Sequence, residues 1–553
     1  MINLGIDFGS TYSLLAVYRR NNLEDVKFGT TMGSSYIPSF VVYDTVMDEY
    51  YCGMEAKGES GKSNTKTFQS FKMLLNSEPD SAECINGGYD KEHSPEEISY
   101  IFWDNILQEA LRNLGEDSID TLVVGIPEIW GSDFNTVDGR IAVRKLFKRF
   151  PYIKNVKLVS EPAAASAFFA YNYKEMTNTD MNGMVLLIDY GGGTLDITLT
   201  QVESKNNHTA IRVIDRGGAG ENFDGKIGKA SILYMEALLR CALKEAGFIN
   251  IDISSQDGIK AKNKLEEILQ QRSTRIEKVL SRYISSPDAL EELIFSEGDI
   301  FYNNSPLKIT YGQMYRVYNE EISPVLDCEL EKFSNMVEKQ KENIKIALVG
   351  GFGNFYLVKH QVSEKFGILP DDERTSNIIK NTADCEKAIV FGAALLANNI
   401  VTIYDTFDYS LGVYSTNIEN NDIFYHYGIN RNDIIRYGDE NIYMIKDDEG
   451  NDYVYVNISG NLDYLLINMR DDNKAAMYLQ PKRQYANKLR NVIHSQEKTA
   501  LIGFSIDYRG IISIHVFDYD YVHQKRTDHR KIELTTFKQM FDPKMIGVAR
   551  SKK

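Results

Sequence analysis

Leu4-Gly5-Ile6-Asp7-Phe8-Gly9-Ser10-Thr11, near the N-terminus, is echoed by Leu187-Ile188-Asp189-Tyr190-Gly191-Gly192-Gly193-Thr194 in the middle of the chain. Each copy is an apolar run ending in Asp, then a small-residue turn with Ser or Thr, then a second apolar run: Ser13 to Tyr18 in the first, Leu195 to Val202 in the second. That is a β-hairpin pattern. An Asp at the end of such a strand projects from the sheet edge, and glycines let backbone N–H groups crowd round an anion that a Cβ would keep away. A single Asp-x-Gly is a common turn, whereas two matching copies, each followed by strand pattern, point to a polyphosphate clamp. Ile346-Ala347-Leu348-Val349-Gly350-Gly351-Phe352-Gly353 adds a third glycine break, followed by a helical stretch from Tyr356 to Phe366 whose N-terminal dipole favours anions. Rival nucleotide signatures fail: Gly61-Lys62-Ser63 lacks its first glycine, which falls at Ala56, and Gly218-x-Gly220 meets Phe223 where a dinucleotide fingerprint needs glycine.

The 553 residues are enough for several core units. Hydrophobic residues at 43% against 25% charged exclude disorder. The formal charge is −16, and residues 401–553 are almost balanced at 20 basic against 21 acidic, so the acidity belongs to residues 1–400. A field of that sign argues against general nucleic-acid or membrane-surface binding, so a phosphate cleft must be locally positive despite it. Five widely spaced cysteines with no CxxC pair fit a reducing compartment better than a disulfide or thiolate-metal framework. Asp7 would interrupt any signal core, and no uncharged apolar run approaches the span of a membrane helix. A cytoplasmic location is expected.

Strands alternate with helices through residue 400. Ser94-Pro95-Glu96-Glu97 reads as a capping box opening a helix that runs to Leu114 and stops at Gly115. Thr121–Ile126 and Val156–Val159 read as buried strands, Glu161-Pro162 opens an Ala-rich helix to Tyr171, and residues 260–283 read as one charged amphipathic helix. This is an α/β layered pattern. Residues 401–535 change to short alternating runs rich in Tyr and Ile, the clearest being the hairpin from Leu501 to Asp518 round Asp507-Tyr508-Arg509-Gly510.

Gly5-Ile6-Asp7-Phe8-Gly9-Ser10-Thr11-Tyr12, Phe71-Lys72, Ser160-Glu161-Pro162-Ala163-Ala164-Ala165, Asp189 to Asp196, Gly220-Glu221-Asn222-Phe223-Asp224, Val349-Gly350-Gly351 and Phe391-Gly392-Ala393-Ala394 resemble, in register, the actin-like ATPase superfamily, and within it the seventy-kilodalton heat-shock chaperones of the DnaK type. The resemblance implies an actin-like ATPase domain over 1–400, with pseudo-repeated, ribonuclease-H-like lobes at about 1–180 and 181–400. After it would come an apolar linker at 401–404, an all-β sandwich at 405–535 that binds substrate, and a basic tail at 536–553.

The resemblance also implies roles. Asp7 and Asp189 would hold Mg2+, largely through its waters. Gly9, Ser10, Thr11, Tyr12, Gly191, Gly192, Gly193 and Thr194 would contact the phosphates of ATP or ADP. Lys72, Glu161, Asp189 and Thr194 would form the catalytic set, and Asp196 would add a contact to a water or a further cation such as K+. Gly220, Glu221, Lys278, Ser281, Gly350, Gly351 and Glu386 would complete the nucleotide site. The adenine side departs from the family, because Gly350-Gly351-Phe352-Gly353-Asn354 lacks the arginine that stacks on the base; Phe352 is either a substitute stacking face or core.

The function so implied is an ATP-hydrolysing chaperone that couples turnover to holding extended or unfolded polypeptide, with J-domain and nucleotide-exchange proteins as further candidate partners. The family's helical lid would need on the order of a hundred residues beyond the last sandwich strand, several helices' worth, so a lidless sandwich is expected. The alternative is a chaperone-derived binding module with one dedicated protein partner, nucleotide acting as a switch with little or no turnover. A small-molecule kinase ranks third.

Overall fold

The computed structural model describes the chain except residues 30–32, 76, 78–79, 128–138, 192–193, 206–207, 220–230, 284–290, 297, 340–343, 368–385, 407–409, 417–422, 431–432, 437–439, 457–461, 464–465, 469–476, 482–498, 508–510, 537–540 and 549–553. Two compact units emerge, one built mainly from Met1–Ile403 and the other mainly from Tyr404–Lys553.

The echoed segments form the same strand arrangement twice. Ile2–Asp7 pairs antiparallel with Tyr12–Arg19 on one side and parallel with Ile119–Ile126 on the other; Gly183–Tyr190 pairs antiparallel with Leu195–Lys205 and parallel with Ile344–Val349. The registers place Asp7 opposite Gly125 and Asp189 opposite Val349, so each acid sits at the carboxyl end of a central strand, beside the next strand's exit. Parallel neighbours need both faces covered, which is why these strands read as near-continuous apolar runs.

Two helices fill the space between the repeats. Glu161–Thr177 starts at Ser160, whose side chain accepts a hydrogen bond from Ala163 N (3.3 Å), and ends six residues beyond the expected Tyr171, where Asn178 adopts a left-handed cap. Ala388–Ala397 is apolar all round and packs with it into one core with Leu14, Val185, Leu187 and Val349. Small residues permit the approach. A Cβ on Gly392 would lie 1.7 Å from the carbonyl oxygen of Ala164, and one on Gly5 would lie 2.4 Å from the backbone nitrogen of Ala394.

Pro95–Leu114 forms as expected and ends on Gly115 in the left-handed region at φ 68°. Residues 260–283 are two helices, not one: Gln256–Gln271 and Ser273–Tyr283, broken at Arg272, whose guanidinium donates to the Ile294 carbonyl (2.8 Å). A tertiary contact at the junction, invisible to periodicity, accompanies the break.

In the second unit, Tyr443–Met444, Thr499–Ile506, Ile511–Asp520 and Lys525–Thr536 form a sheet over a core that includes Leu411, Ile429, Ile445, Phe504, Ile514 and Val516. The hairpin expected at 501–518 is there, Ile502 opposite Val516 and Phe504 opposite Ile514; Tyr508, Arg509 and Gly510 of its turn lie outside the described residues. The expected basic tail contains a strand, Phe541–Val548, which pairs with Met477–Pro481 and so extends the β-structure past residue 535. The expected linker likewise lies within a strand, Val401–Thr406.

Candidate active site

The acid-bearing strand ends open onto a cleft of about 900 Å³ within the first unit. Asp7, Gly9, Ser10, Thr11, Tyr12, Lys72, Glu161, Asp189, Gly191, Thr194, Gly350, Gly351 and Glu386 all line it. Residues from six separate stretches of sequence therefore meet at the acid-bearing strand ends.

At its floor Lys72 Nζ donates to Glu161 Oε1 (2.6 Å), with the two side chains 4% and 7% exposed. Phe71 and Phe8 are fully buried beside Trp103, and the Lys72 ammonium lies 5.8 Å from the Phe8 ring, so an aromatic bed holds the lysine stem while its charge points to the acids. Burial pushes the Asp7 carboxyl up to about 7, with the Glu161 charge adding to the rise and Lys72 opposing it. Asp189 is driven well above the ordinary carboxylate range by burial, then by Glu161, Asp196 and Asp7.

The floor of the cleft is rich in acids, while Lys57, Lys72 and Lys359 supply the cations of its lining. Three buried acids, Asp7, Glu161 and Asp189, lie with the single buried lysine among the described residues, and a fourth, Asp196, stands next to Asp189. Buried acids in excess of the buried cation fit a divalent ion, which would favour their charged forms. No group of three or more potential ligand side chains converges among the described residues, and a two-carboxylate donor set suits Mg2+, which dehydrates reluctantly and keeps several waters.

The turns are built for close approach. Gly9 donates space no other residue could leave, since a Cβ there would lie 1.9 Å from the Tyr12 carbonyl oxygen, and its own carbonyl accepts from Ser39 Oγ (2.6 Å). Gly350, at φ 78°, would drive a Cβ to 2.5 Å from Asp189 Oδ1. Gly191 N donates to the Thr194 carbonyl (3.1 Å), closing the second turn. The Thr11 hydroxyl is buried with no partner among the described residues, as suits a group awaiting an acceptor.

Three site residues are placed differently from expectation. Asp196 does not line the cleft: it is fully buried and sits opposite Asp189 on the antiparallel ladder, so it acts on Asp189 as a neighbouring charge. Lys278 and Ser281 are exposed on Ser273–Tyr283, which presents Ser273, Thr274, Ile276 and Glu277 to the cleft; its later turns lie beyond the cleft edge. Gly192, Gly193, Gly220 and Glu221 lie outside the described residues. Tyr36 was not anticipated: its hydroxyl donates to Glu386 Oε2 (2.6 Å), and burial followed by the Glu386 charge raises its phenol. Nothing in the local pattern at Ser35-Tyr36-Ile37 marks it. Phe352 is core, packed against Tyr190, Tyr234 and Phe355, with one edge in the cleft.

A family model described as Hsp70 protein matches residues 3–527. The chain belongs to the Hsp70 family. Heat shock cognate 70 kDa protein 3 of Dictyostelium discoideum is 23% identical over 429 residues, covering 72% of this chain and 60% of that protein. The chain therefore spans less than two thirds of the length of this relative. Membership of the Hsp70 family implies the actin-like ATPase fold, with which the mixed α/β unit and the strand-rich C-terminal unit agree. No helix among the described residues is long and apolar enough to cross a membrane.

The raised Asp7 carboxyl has a measurable sign. Below about pH 4 both folded and unfolded chains carry the proton; between there and pH 7 only the folded chain does, so stability falls as pH rises through that window and the loss is complete above it. In EDTA at pH 8, Asp7→Asn is expected to be more stable than the parent by at least about 1 kcal/mol, the gap closing towards pH 4. Urea titrations across the pH range check it, and a gap that does not change with pH would remove the buried acid as its cause.

Proposed function

We propose that this chain is an ATP-driven chaperone of the Hsp70 type, in which the unit around Met1–Ile403 binds and hydrolyses ATP and the strand-rich unit binds extended polypeptide. The observation that carries this reading is the buried Lys72–Glu161 pair beside Asp7 and Asp189, in one cleft walled by the two repeated glycine turns.

The chemistry follows from charge and position. Asp7 and Asp189 would hold Mg2+, which neutralises phosphate charge when bound. Lys72 sets its ammonium against the developing charge on the transferred phosphoryl group, and backbone N–H groups of the Gly9 and Gly191 turns, with the Thr11 and Thr194 hydroxyls, position the remaining oxygens. Glu161 orients the attacking water and takes its proton as the new O–P bond forms and the bond to the ADP oxygen breaks. Lys72 holds the Glu161 carboxylate in place for that task by direct hydrogen bonding. Asp196 acts on Asp189 from behind as a neighbouring charge.

Polypeptide clients, with J-domain and nucleotide-exchange proteins as co-chaperones, are the partners consistent with this reading. A fluorescent extended peptide titrated with the full chain should change affinity between Mg·ATP and Mg·ADP by about 5–150-fold, the ordinary range of allosteric coupling. Hydrolysis without any change would sink the coupling; binding of neither peptide nor hydrolysable nucleotide would favour a module with one dedicated partner.

A further inference from the structure

Beyond its catalytic floor the cleft has a second wall, made by the turn from Gly350 to Phe355 and by the helix Ser273–Tyr283. Asn354 lines this wall, and its Nδ2 is buried with no hydrogen-bond partner among the described residues. A buried amide donor left without an acceptor is costly, so the site asks for a ligand acceptor at this point. Glu277 lines the same cleft from the helix, exposed to it and making no ion pair among the described residues. Its helix packs against Tyr356–Phe366, the helix that follows Asn354, and Tyr356 lines the same cleft. Phe352 and Ile276, 6% and 3% exposed, give the wall an apolar footing suited to a flat ring.

We propose that Asn354 and Glu277 read the base of the bound nucleotide, and that they admit guanine beside adenine. This rests on the reading of the cleft as a nucleotide site. An amide N–H needs an acceptor, which adenine offers at a ring nitrogen and guanine at its carbonyl oxygen or N7. A carboxylate only accepts. On the edge that would meet such a carboxylate guanine carries two adjacent donors, the ring N1–H and the exocyclic amine, whereas adenine carries one exocyclic amine next to a ring nitrogen that would repel it. A wall that excluded guanine would need a donor facing those two N–H groups, and the acid at Glu277 has the opposite polarity.

The experiment uses the full chain and calorimetric titration with Mg·ADP, Mg·GDP and Mg·tripolyphosphate. ADP and GDP are expected to bind within about fivefold of each other, since a site rejects an analogue strongly only where a buried group is left unpaired. Glu277→Ala should weaken GDP by about tenfold and ADP by less than about threefold, within the range one paired base contact supplies. Asn354→Ala should weaken both nucleotides by about fivefold or more and leave tripolyphosphate unchanged, which separates base reading from loss of folding. ADP preferred by more than about a hundredfold, or an ADP-to-GDP ratio untouched by Glu277→Ala, overturns the inference while leaving the nucleotide site intact. Failure of all three ligands to bind overturns both together.

Discussion

Lys72→Ala is expected to slow single-turnover hydrolysis of ATP by at least about a hundredfold, the usual cost of removing one preorganised charge at a reacting centre. The loss has two sources. The ammonium no longer meets the phosphoryl group, and Glu161, 5% exposed, is left as a buried carboxylate without its lysine. Removing one partner of a buried ion pair costs about 3–5 kcal/mol where the other stays charged. Glu161 then also lacks the partner that holds its carboxylate in position. ADP affinity and the melting temperature, measured alongside, distinguish a silent site from an unfolded one. Equal hydrolysis by parent and variant would show that the observed turnover does not come from this cleft, and would leave nucleotide as a switch or structural ligand.

Gly392→Val should be the most damaging single change to the first unit, at roughly 3 kcal/mol or more of destabilisation by overpacking. The Cβ position lies 1.7 Å from the Ala164 carbonyl oxygen, and that obstacle is helix backbone, which no rotamer change can move. Relief requires Ala388–Ala397 to back away from Glu161–Thr177, and the second of these helices begins with the residue proposed as base. Hydrolysis should fall with stability. Gly58→Ala serves as the control: nothing lies within 4 Å of its Cβ position in the helix Gly53–Glu59, so it should be neutral or stabilising by about 0.5–1 kcal/mol. Urea unfolding followed by tryptophan fluorescence reads both, and a Gly392→Val midpoint equal to that of the parent would contradict the packing.

Much of the fold is legible residue by residue because the signals are local. Asp7 and Asp189 stand at strand ends in both sequence and structure, since an apolar run broken by Asp and glycine can continue neither strand nor core. Gly115 ends its helix where its backbone freedom says it should. The failures are equally physical. Residues 260–283 keep an amphipathic period through Arg272, yet the chain there is two helices. The strand Phe541–Val548 belongs to a sheet through its pairing with Met477–Pro481, a relation that the local run Phe541-Asp542-Pro543-Lys544 conceals.

The site divides along the same line. Sequence alone determined the turns, because small residues after an acid are needed wherever backbone must approach an anion, and that need is written at each position independently. It also placed Lys72 and Glu161 in the right company by resemblance. Tertiary structure decided what those residues do to one another: that a lysine and a glutamate 89 positions apart share a 2.6 Å hydrogen bond, that Asp196 stands behind Asp189 instead of in the cleft, that buried acids outnumber the buried lysine, and that Glu277 and Asn354 line one cleft. Burial and charge coupling depend on which distant elements pack together, and interaction energies between side chains belong to pairs and clusters, so no single stretch of sequence contains them.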